Sequence, residues 1–166
     1  GDCLVEYKYD GVRVIAIVMK GKATLYSRNG KIFNNFGHIE EALSKPEYNN
    51  IVFDGEVMSD DFQALMKQVY RKSGAKTEDA YLALFDMLPL KEFNDGKSKL
   101  NSFERKQELN KLSMTFGSEI KLVDYEVINF DSEKGQDKFL KMNKDALDKG
   151  FEGLMIKPND NFYESK

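Results

Sequence analysis

The sequence predicts an α+β fold, and three observations lead to this prediction. The chain has 166 residues, of which 41% are hydrophobic and 32% are charged, and this composition suits one domain with a hydrophobic core. Short alternating segments rich in β-branched residues are typical of strands. Segments with helical spacing and capping residues lie between the later strands, so helices and strands are both expected.

The predicted strands begin with a meander near the N-terminus. Alternation predicts strands at 3–9, 12–19 and 23–28, with turns at Lys20-Gly21-Lys22 and Asn29-Gly30. Later apolar runs predict four more strands, at 51–58, 80–88, 120–128 and 151–157.

Two helices are predicted in the first half of the chain. Residues 38–44 form a short candidate. Asp60 or Asp61 can cap a second helix, whose apolar face would carry Phe62, Leu65, Met66 and Val69.

Two further helices are predicted in the second half. Asn101, followed three residues later by Glu104, predicts a capping box for a helix that ends near Leu112. Ser132 can cap a longer helix that ends at Gly150. The apolar face of that helix is predicted to bury Phe139, Met142 or Asn143, Ala146 and Leu147. A polar loop is predicted at 93–101, too short to separate two domains.

The composition argues against several function classes. The single Cys3 excludes an internal disulfide, and the single His38, read as a surface helix residue, argues against Ser-His-Asp and zinc–histidine sites. No apolar run reaches the roughly 18 residues of a membrane span, and no signal-peptide layout is present. We therefore expect no membrane partner and no secretion, and a location in the cytoplasm or nucleoid, or in the nucleus of a eukaryote. The net charge of −3 leaves a nucleic-acid substrate open.

The segment "EYKYDGVR", residues 6–13, places a lysine where a predicted strand runs into a turn. Lys8 is therefore expected on the rigid rim of a sheet. A lysine nucleophile must be a neutral amine, and a nearby cation such as Arg13 or a metal ion favours that form. The alternative is an exposed strand lysine paired with Glu6 or Asp10.

Four further segments follow, and together with the first they extend from residue 6 to residue 157. They are "YSRNGK" at 26–31, "FDGEV" at 53–57, "YLALFDML" at 81–88 and "EGLMIK" at 152–157. With "EYKYDGVR", these segments resemble the motifs of ATP-dependent DNA ligases, in that order and approximate spacing. The resemblance implies a nucleotidyltransferase-type fold: two mainly antiparallel β-sheets, flanked by helices, with a nucleotide cleft between them.

The resemblance also implies roles for the first motif. Lys8 would attack the α-phosphorus of ATP and form a lysyl-AMP intermediate. Asp10 would organise the loop around Lys8, and Arg13 would hold the ribose. Glu6 would accept a hydrogen bond from the adenine amino group.

Further roles follow from the later motifs. Phe85 and Met155 would sandwich the adenine ring, although both residue types are also ordinary in a core. Lys157 would contact the phosphates, and Arg28 would receive the 5′-phosphate of a nicked strand.

Glu56 and Glu152 would serve the ribose and a metal ion. Two carboxylates beside a triphosphate require Mg²⁺ or a similar hard cation between them, because bare anions repel one another. The alternative is that both are solvated carboxylates at strand ends.

The implied reaction passes AMP from Lys8 to the 5′-phosphate of nicked duplex DNA, and the 3′-hydroxyl then displaces AMP. Such chemistry serves DNA replication, repair and recombination, and we expect a monomer. An RNA ligase, an mRNA-capping guanylyltransferase, and a nucleotide-binding fragment without turnover remain alternatives. The basic segment Gln68 to Lys76 is expected either to contact a phosphate backbone or to be a solvated helix end.

One family motif has no counterpart in this sequence. In the family, a Lys-x-Lys strand follows the E-G-x-x-x-K motif, and an oligonucleotide-binding barrel follows that strand. Residues 158–166 contain no Lys-x-Lys. We therefore expect residues 1–166 to be one adenylation domain, truncated before the lysine motif and the barrel, and to seal nicks poorly by themselves.

Overall fold

The computed structural model describes residues 1–59, 80–158 and 163. The strands are β1 (Asp2–Tyr7), β2 (Val12–Met19), β3 (Lys22–Tyr26), β4 (Ile51–Met58), β5 (Tyr81–Pro89), β6 (Ile120–Leu122), β7 (Tyr125–Asn129) and β8 (Leu154–Pro158). The described α-helices are α1 (Gly37–Leu43), α2 (Leu90–Asp95), α3 (Ser102–Leu112) and α4 (Glu133–Asp148). Short 3₁₀ turns occur at Pro46–Tyr48 and Ser113–Thr115.

The larger sheet has the strand order β3-β2-β4-β5-β6. All its pairings are antiparallel except that of β5 with β6. Alternate residues of β2, such as Val14, Ala16 and Val18, are fully buried and pack in one cluster with Ile39 of α1 and Leu109 of α3. This cluster is the main hydrophobic core, and it makes the larger sheet a fixed platform.

The smaller sheet has the order β7-β1-β8 and is antiparallel throughout. Val5 and Tyr7 of β1 share a second buried cluster with Met142 and Ala146 of α4. Successive strand residues point to opposite faces, so Glu6 lies on the face directed away from α4. The predicted α+β fold with two mainly antiparallel sheets is confirmed.

One predicted strand is two strands in different sheets. The chain was expected to be continuous over 120–128, but β6 belongs to the larger sheet and β7 to the smaller one. Val123 donates its N–H to Leu84 of β5, and the next residue, Asp124, accepts the N–H of Tyr7 of β1. The prediction was wrong because the alternating pattern does not change where the chain moves from one sheet to the other.

The helix ends follow the predicted capping residues. Asn101 and Glu104 form the complete capping box of α3. The Ser132 side chain accepts the Gly135 N–H at the start of α4, and Gly150 after its end has φ 87°. Leu147, however, was expected in the core and is 54% exposed.

Other helix predictions had mixed outcomes. Helix α2 was not predicted, and it takes up part of the expected polar loop. His38 is partly buried and contacts the Ala80 carbonyl at 2.7 Å, so it is more than a surface residue. The predicted helix with Phe62, Leu65, Met66 and Val69 and the basic segment after it lie outside the described residues. Among the described helices, none has the length and apolarity needed to cross a membrane.

Candidate active site

Glu6 is a buried carboxylate with two lysine partners. It is only 2% exposed. Its Oε2 accepts a hydrogen bond from the Lys106 ammonium, and its Oε1 lies 2.7 Å from the Lys157 Nζ. Burial disfavours the charged carboxylate, but the two ammonium groups outweigh that effect and lower the pKa of Glu6 below its ordinary value. Glu6 is therefore held ionised.

Phe85 lies beside this carboxylate because of an irregularity in the larger sheet. The pairing of β4 with β5 passes from Asp86 to Leu84, so Phe85 is the extra residue of a β-bulge. Its carbonyl accepts a hydrogen bond from Lys106 at 2.5 Å. A β-bulge changes the direction in which side chains point, and the bulge at Phe85 lies at the cleft between the two sheets.

Two cations lie against the Phe85 ring. The Lys157 Nζ is 4.8 Å and the Arg13 guanidinium carbon 5.0 Å from the ring centroid. Met155 is directly opposite Glu6 in the ladder of β1 with β8, and it is 45% exposed. Four neighbouring side chains thus come from both sheets and lie at one end of the cleft: Glu6, Phe85, Met155 and Lys157. We call it the base end, after the adenine contact that the motif resemblance implies for Glu6.

Arg13 is held by a buried aspartate. Its Nε and Nη2 donate to the two oxygens of Asp54 at 2.6 and 2.5 Å, and Asp54 is fully buried. The Tyr163 hydroxyl donates to the same carboxylate at 2.9 Å. Burial raises the pKa of Asp54, and the hydrogen bonds and charge of Arg13 oppose that rise. Arg13 is consequently fixed toward Phe85.

Lys8 lies at the open end of the same cleft. We call it the phosphate end, after the reaction that the motif resemblance implies for Lys8. Its backbone N–H donates to the Gly153 carbonyl at 3.0 Å, so the backbone is fixed while the side chain is half-exposed. The Lys8 Nζ is 3.4 Å from Glu152 Oε2, whose side chain is also half-exposed. The ion-pair partner of Lys8 is therefore Glu152, and not Glu6 or Asp10 as in the alternative interpretation.

Glu56 contacts the loop that follows Lys8. Its Oε2 accepts the Gly11 N–H at 3.2 Å. A Cβ on Gly11 would lie 2.4 Å from the Val57 carbonyl oxygen, so only glycine allows this close approach of loop and strand. Burial raises the pKa of Glu56, the Gly11 hydrogen bond and Arg13 oppose the rise, and the Asp10 charge adds to it.

The chain is similar to known proteins of one family. A family described as "ATP dependent DNA ligase domain" matches residues 1–166. The chain belongs to this ligase domain family. Its relatives include the DNA ligase of Natronomonas pharaonis, 31% identical over 98% of this chain and 30% of that protein, and the DNA ligase of Archaeoglobus fulgidus, 27% identical over 92% and 28%. The chain thus spans about 30% of the length of these curated relatives.

Solved structures agree with the ligase fold. The structure named Pmar-Lig_PreS3 is 41% identical, with a TM-score of 0.91 over all of this chain and 40% of that chain. The bacteriophage T7 ATP-dependent DNA ligase in complex with ATP is 17% identical, with a TM-score of 0.74 over 99% of this chain and 59% of that one. The second similarity supports the nucleotidyltransferase-type fold alone.

Within this ligase domain, the residues predicted from sequence are divided between the two ends of the cleft. Arg28 belongs to neither cluster, since it lies on the exposed turn after β3. The β2–β3 ladder ends at the Ile15–Tyr26 pair, so the turn that carries Arg28 lies at the same end of the sheet as Arg13. Among residues 1–59, 80–158 and 163, no group of three acidic, histidine or cysteine side chains could hold a metal ion. Glu56 and Glu152 could each supply one carboxylate.

The sequence reasoning missed three residues of the hydrogen-bond networks at this cleft. Asp54 lies inside the quoted "FDGEV" motif, and a charge in a strongly apolar strand was a usable signal. Lys106 belongs to the buried stripe of α3, whose members Ser102, Arg105, Lys106 and Leu109 have helical spacing but mostly polar side chains. Tyr163 has no local signal, because its contact with Asp54 spans 109 residues.

Proposed function

We propose that residues 1–166 are the adenylation domain of an ATP-dependent DNA ligase and that Lys8 is its nucleophile. One observation carries the proposal. A half-exposed lysine and its carboxylate partner lie at one end of a cleft between two sheets, and a buried carboxylate with an aromatic ring lies at the other. Membership in the ligase domain family supports the same assignment.

Adenine binds at the base end in this proposal. The ring stacks on Phe85, with Met155 on the other side, and its amino group donates to Glu6. The Lys157 side chain, now against both Phe85 and Glu6, moves toward the phosphates. Guanine carries an acceptor in place of the amino group, so it would leave the buried carboxylate unpaired and bind about a hundredfold more weakly.

The first chemical step occurs at the phosphate end. The Lys8 ammonium loses a proton, and Glu152 is the carboxylate in contact that can accept or relay it. The Nζ lone pair then forms a bond to the α-phosphorus. The bond from that phosphorus to the bridging oxygen breaks, and pyrophosphate leaves with the electron pair. The product is a phosphoramidate between Lys8 and AMP.

A divalent cation fits this end of the cleft. Glu56 and Glu152 are hard oxygen donors, and the triphosphate oxygens would complete the coordination that the described side chains do not. When bound, Mg²⁺ supplies positive charge that neutralises the phosphate oxygens. Glu56 meanwhile holds the loop after Lys8 through Gly11.

The later steps concern DNA. AMP passes from Lys8 to the 5′-phosphate of a nicked duplex, and the 3′-hydroxyl then attacks that phosphorus and releases AMP. Arg28, exposed near the same end of the larger sheet as Arg13, is assigned to the 5′-phosphate because a guanidinium binds phosphate with two parallel hydrogen bonds.

A labelling experiment tests the first step. The chain is incubated with Mg²⁺ and with ATP, GTP or NAD, each labelled in the phosphate that would stay on the lysine, and is analysed by denaturing electrophoresis. We expect label from ATP, about a hundredfold less from GTP, and none from NAD. Equal labelling from GTP would remove Glu6 as the base reader and favour a capping enzyme. An absence of label from all three nucleotides would contradict the proposal.

A chase experiment tests the DNA steps. The labelled chain, freed of ATP, is mixed with a nicked duplex that carries either a 5′-phosphate or a 5′-hydroxyl. Label should move to the DNA only with the 5′-phosphate. Transfer to an RNA nick at a higher rate than to the DNA nick would point to an RNA ligase instead.

A further inference from the structure

A single buried ammonium group connects the two residues assigned to base recognition. Lys106 is 3% exposed. Its Nζ donates to Oε2 of Glu6, in β1 of the smaller sheet, and to the carbonyl of Phe85, in β5 of the larger sheet. The same Nζ lies 5.3 Å from the centroid of the Tyr125 ring in β7. Lys106 therefore joins the two sheets at the base end of the cleft.

The position of Lys106 is fixed by its helix. The neighbouring Arg105 donates to both oxygens of Asp86 at 2.8 and 3.2 Å, which attaches α3 to β5 beside Phe85. The Ser102 hydroxyl donates to the Pro158 carbonyl at 2.9 Å, which attaches the start of α3 to β8. The capping box of Asn101 and Glu104 fixes the first turn. The helix is thereby held against both sheets.

Glu6 divides its two oxygens between lysines that differ in exposure. Oε2 contacts Lys106, and Oε1 contacts Lys157, whose side chain is 18% exposed and lies at the cleft. Two ammonium groups around one carboxylate leave a net positive charge. A nucleotide that draws Lys157 toward its phosphates leaves a neutral pair of Glu6 and Lys106, with Oε1 available as an acceptor.

We propose that Lys106 is a positioning residue for adenine selectivity: it holds Oε2 of Glu6 and the Phe85 carbonyl together, and so directs Oε1 at the amino edge of a base stacked on Phe85. This inference rests on the proposed function of the same site. Without Lys106, a buried Glu6 either takes up a proton or keeps Lys157 as its only partner. In the first case the charged acceptor is lost, and in the second Oε1 stays bound to Lys157, so in both cases the preference for a base with an amino group falls.

The test measures base selectivity at equilibrium, not catalysis. ATP and purine riboside triphosphate, which has hydrogen in place of the amino group, are titrated with Mg²⁺ into the Lys8→Ala chain, which cannot form the covalent adduct. This chain, with Lys106 in place, should prefer ATP by about ten- to a hundredfold, the range expected for one hydrogen bond to a charged group. In Lys106→Met this ratio should fall to within about threefold of one, and purine riboside triphosphate should bind within about threefold of its original affinity.

Three variants separate positioning from folding. Lys106→Arg keeps a charged donor and should retain most of the selectivity. Lys106→Gln keeps a neutral N–H donor and should lose part of it, and this variant replaces Lys106→Met if the latter fails to fold by circular dichroism. Lys111→Met, on the exposed side of the same helix, should leave both affinities unchanged.

Two results would overturn the inference. One is an unchanged preference for ATP in a folded Lys106→Met or Lys106→Gln variant. The other is an equal loss of affinity for both nucleotides, which would show a general structural role. Labelling of Lys8 is scored separately, so a chain that shows the selectivity loss but forms no lysyl-AMP would contradict the proposed function and not this inference.

Discussion

Glu6 and Lys8 are two residues apart in the chain, yet they differ in burial and in their ion-pair partners. Glu6 is buried and bound by two ammonium groups, while Lys8 is half-exposed and has one carboxylate partner at 3.4 Å. This difference shows that the cleft has a fixed end and an open end. In the proposed function, base recognition depends on preorganised charges, whereas the phosphate end keeps its charged groups accessible.

The proposed function explains this division. In that proposal the adenine ring is the same in every turnover, so a rigid, buried site lowers the cost of binding it. The phosphate end would have to admit a triphosphate and a metal ion, release pyrophosphate, and then accept a DNA end. Lys8 and Glu152 stay exposed there, and their ion pair is weak enough to be exchanged for substrate contacts.

The largest expected effect is on covalent labelling by ATP, and it is compared with the effect on ATP affinity. Lys8→Ala should reduce covalent labelling by ATP by at least about three orders of magnitude, because the nucleophile is gone. ATP affinity should change by less than about tenfold, since the base end is intact. Labelling is measured by denaturing electrophoresis and affinity by calorimetric titration.

Two variants serve as controls for that result. Lys8→Arg should also fail to label, because a guanidinium stays protonated. Lys111→Ala removes an exposed lysine on α3 and should label normally. Retained labelling of Lys8→Ala would mean that another lysine is the nucleophile.

The second prediction compares the stability of the two ends. Glu6→Gln leaves the buried Lys106 without its counter-ion and should lower the free energy of unfolding by about 3–5 kcal/mol. Glu152→Gln breaks a half-exposed pair and should cost at most about 1 kcal/mol. Urea unfolding followed by circular dichroism measures both. Similar losses from the two variants would remove the distinction between a fixed and an open end.

The third prediction concerns the pH dependence of stability, because the pKa values of Glu6 and Glu56 are shifted in opposite directions. The pKa of Glu6 is lowered, so its contribution to stability is complete above its ordinary pKa and is lost as pH falls through the lowered value. The pKa of Glu56 is raised by burial, so its contribution is complete below its ordinary pKa and is lost as pH rises through the raised value.

The readout is the difference in unfolding free energy between the unsubstituted chain and each glutamine variant, measured in urea from about pH 3 to about pH 7. For Glu6→Gln this difference should increase with pH, and for Glu56→Gln it should decrease. Parallel slopes for the two variants would contradict the contrast in charge environment.

The smallest expected effect comes from Tyr163. Its hydroxyl donates to Asp54 at 2.9 Å, in support of the Arg13 pair. Tyr163→Phe removes this donor but leaves the Arg13 hydrogen bonds, so it should cost about 1 kcal/mol of stability. Thermal unfolding detects such a change. A loss as large as that of Glu6→Gln would mean that the Arg13–Asp54 pair depends on Tyr163.

Much of the fold could be predicted from local sequence signals. The capping residues Asn101 and Ser132 and the alternating strands each depend on neighbours in the chain. The switch of sheet at Val123 and Asp124 could not be predicted, because it depends on which distant strand supplies the hydrogen bond. The exposure of Leu147 likewise depends on where the smaller sheet ends relative to α4.

Prediction of the site from sequence has the same limit. The motif residues Glu6, Lys8 and Glu152 were named from sequence, but the pairing of Lys8 with Glu152 and of Glu6 with Lys106 was not. Lys106 is 100 residues from Glu6, and a lysine on the buried stripe of a helix breaks the hydrophobic pattern from which burial is usually predicted. The motifs identify which residues are involved, and only the packing of the two sheets shows how their charges are paired.

Peptide mapping of the chain after incubation with ATP and Mg²⁺ tests the central claim most directly. Intact mass measurement should show the addition of a single AMP group, and mapping under conditions that preserve the phosphoramidate should place it on Lys8, the open-end lysine. The adduct should be lost on addition of pyrophosphate, because the step is reversible. An AMP group on Lys106, Lys157 or another lysine, or no adduct at all, would contradict the account.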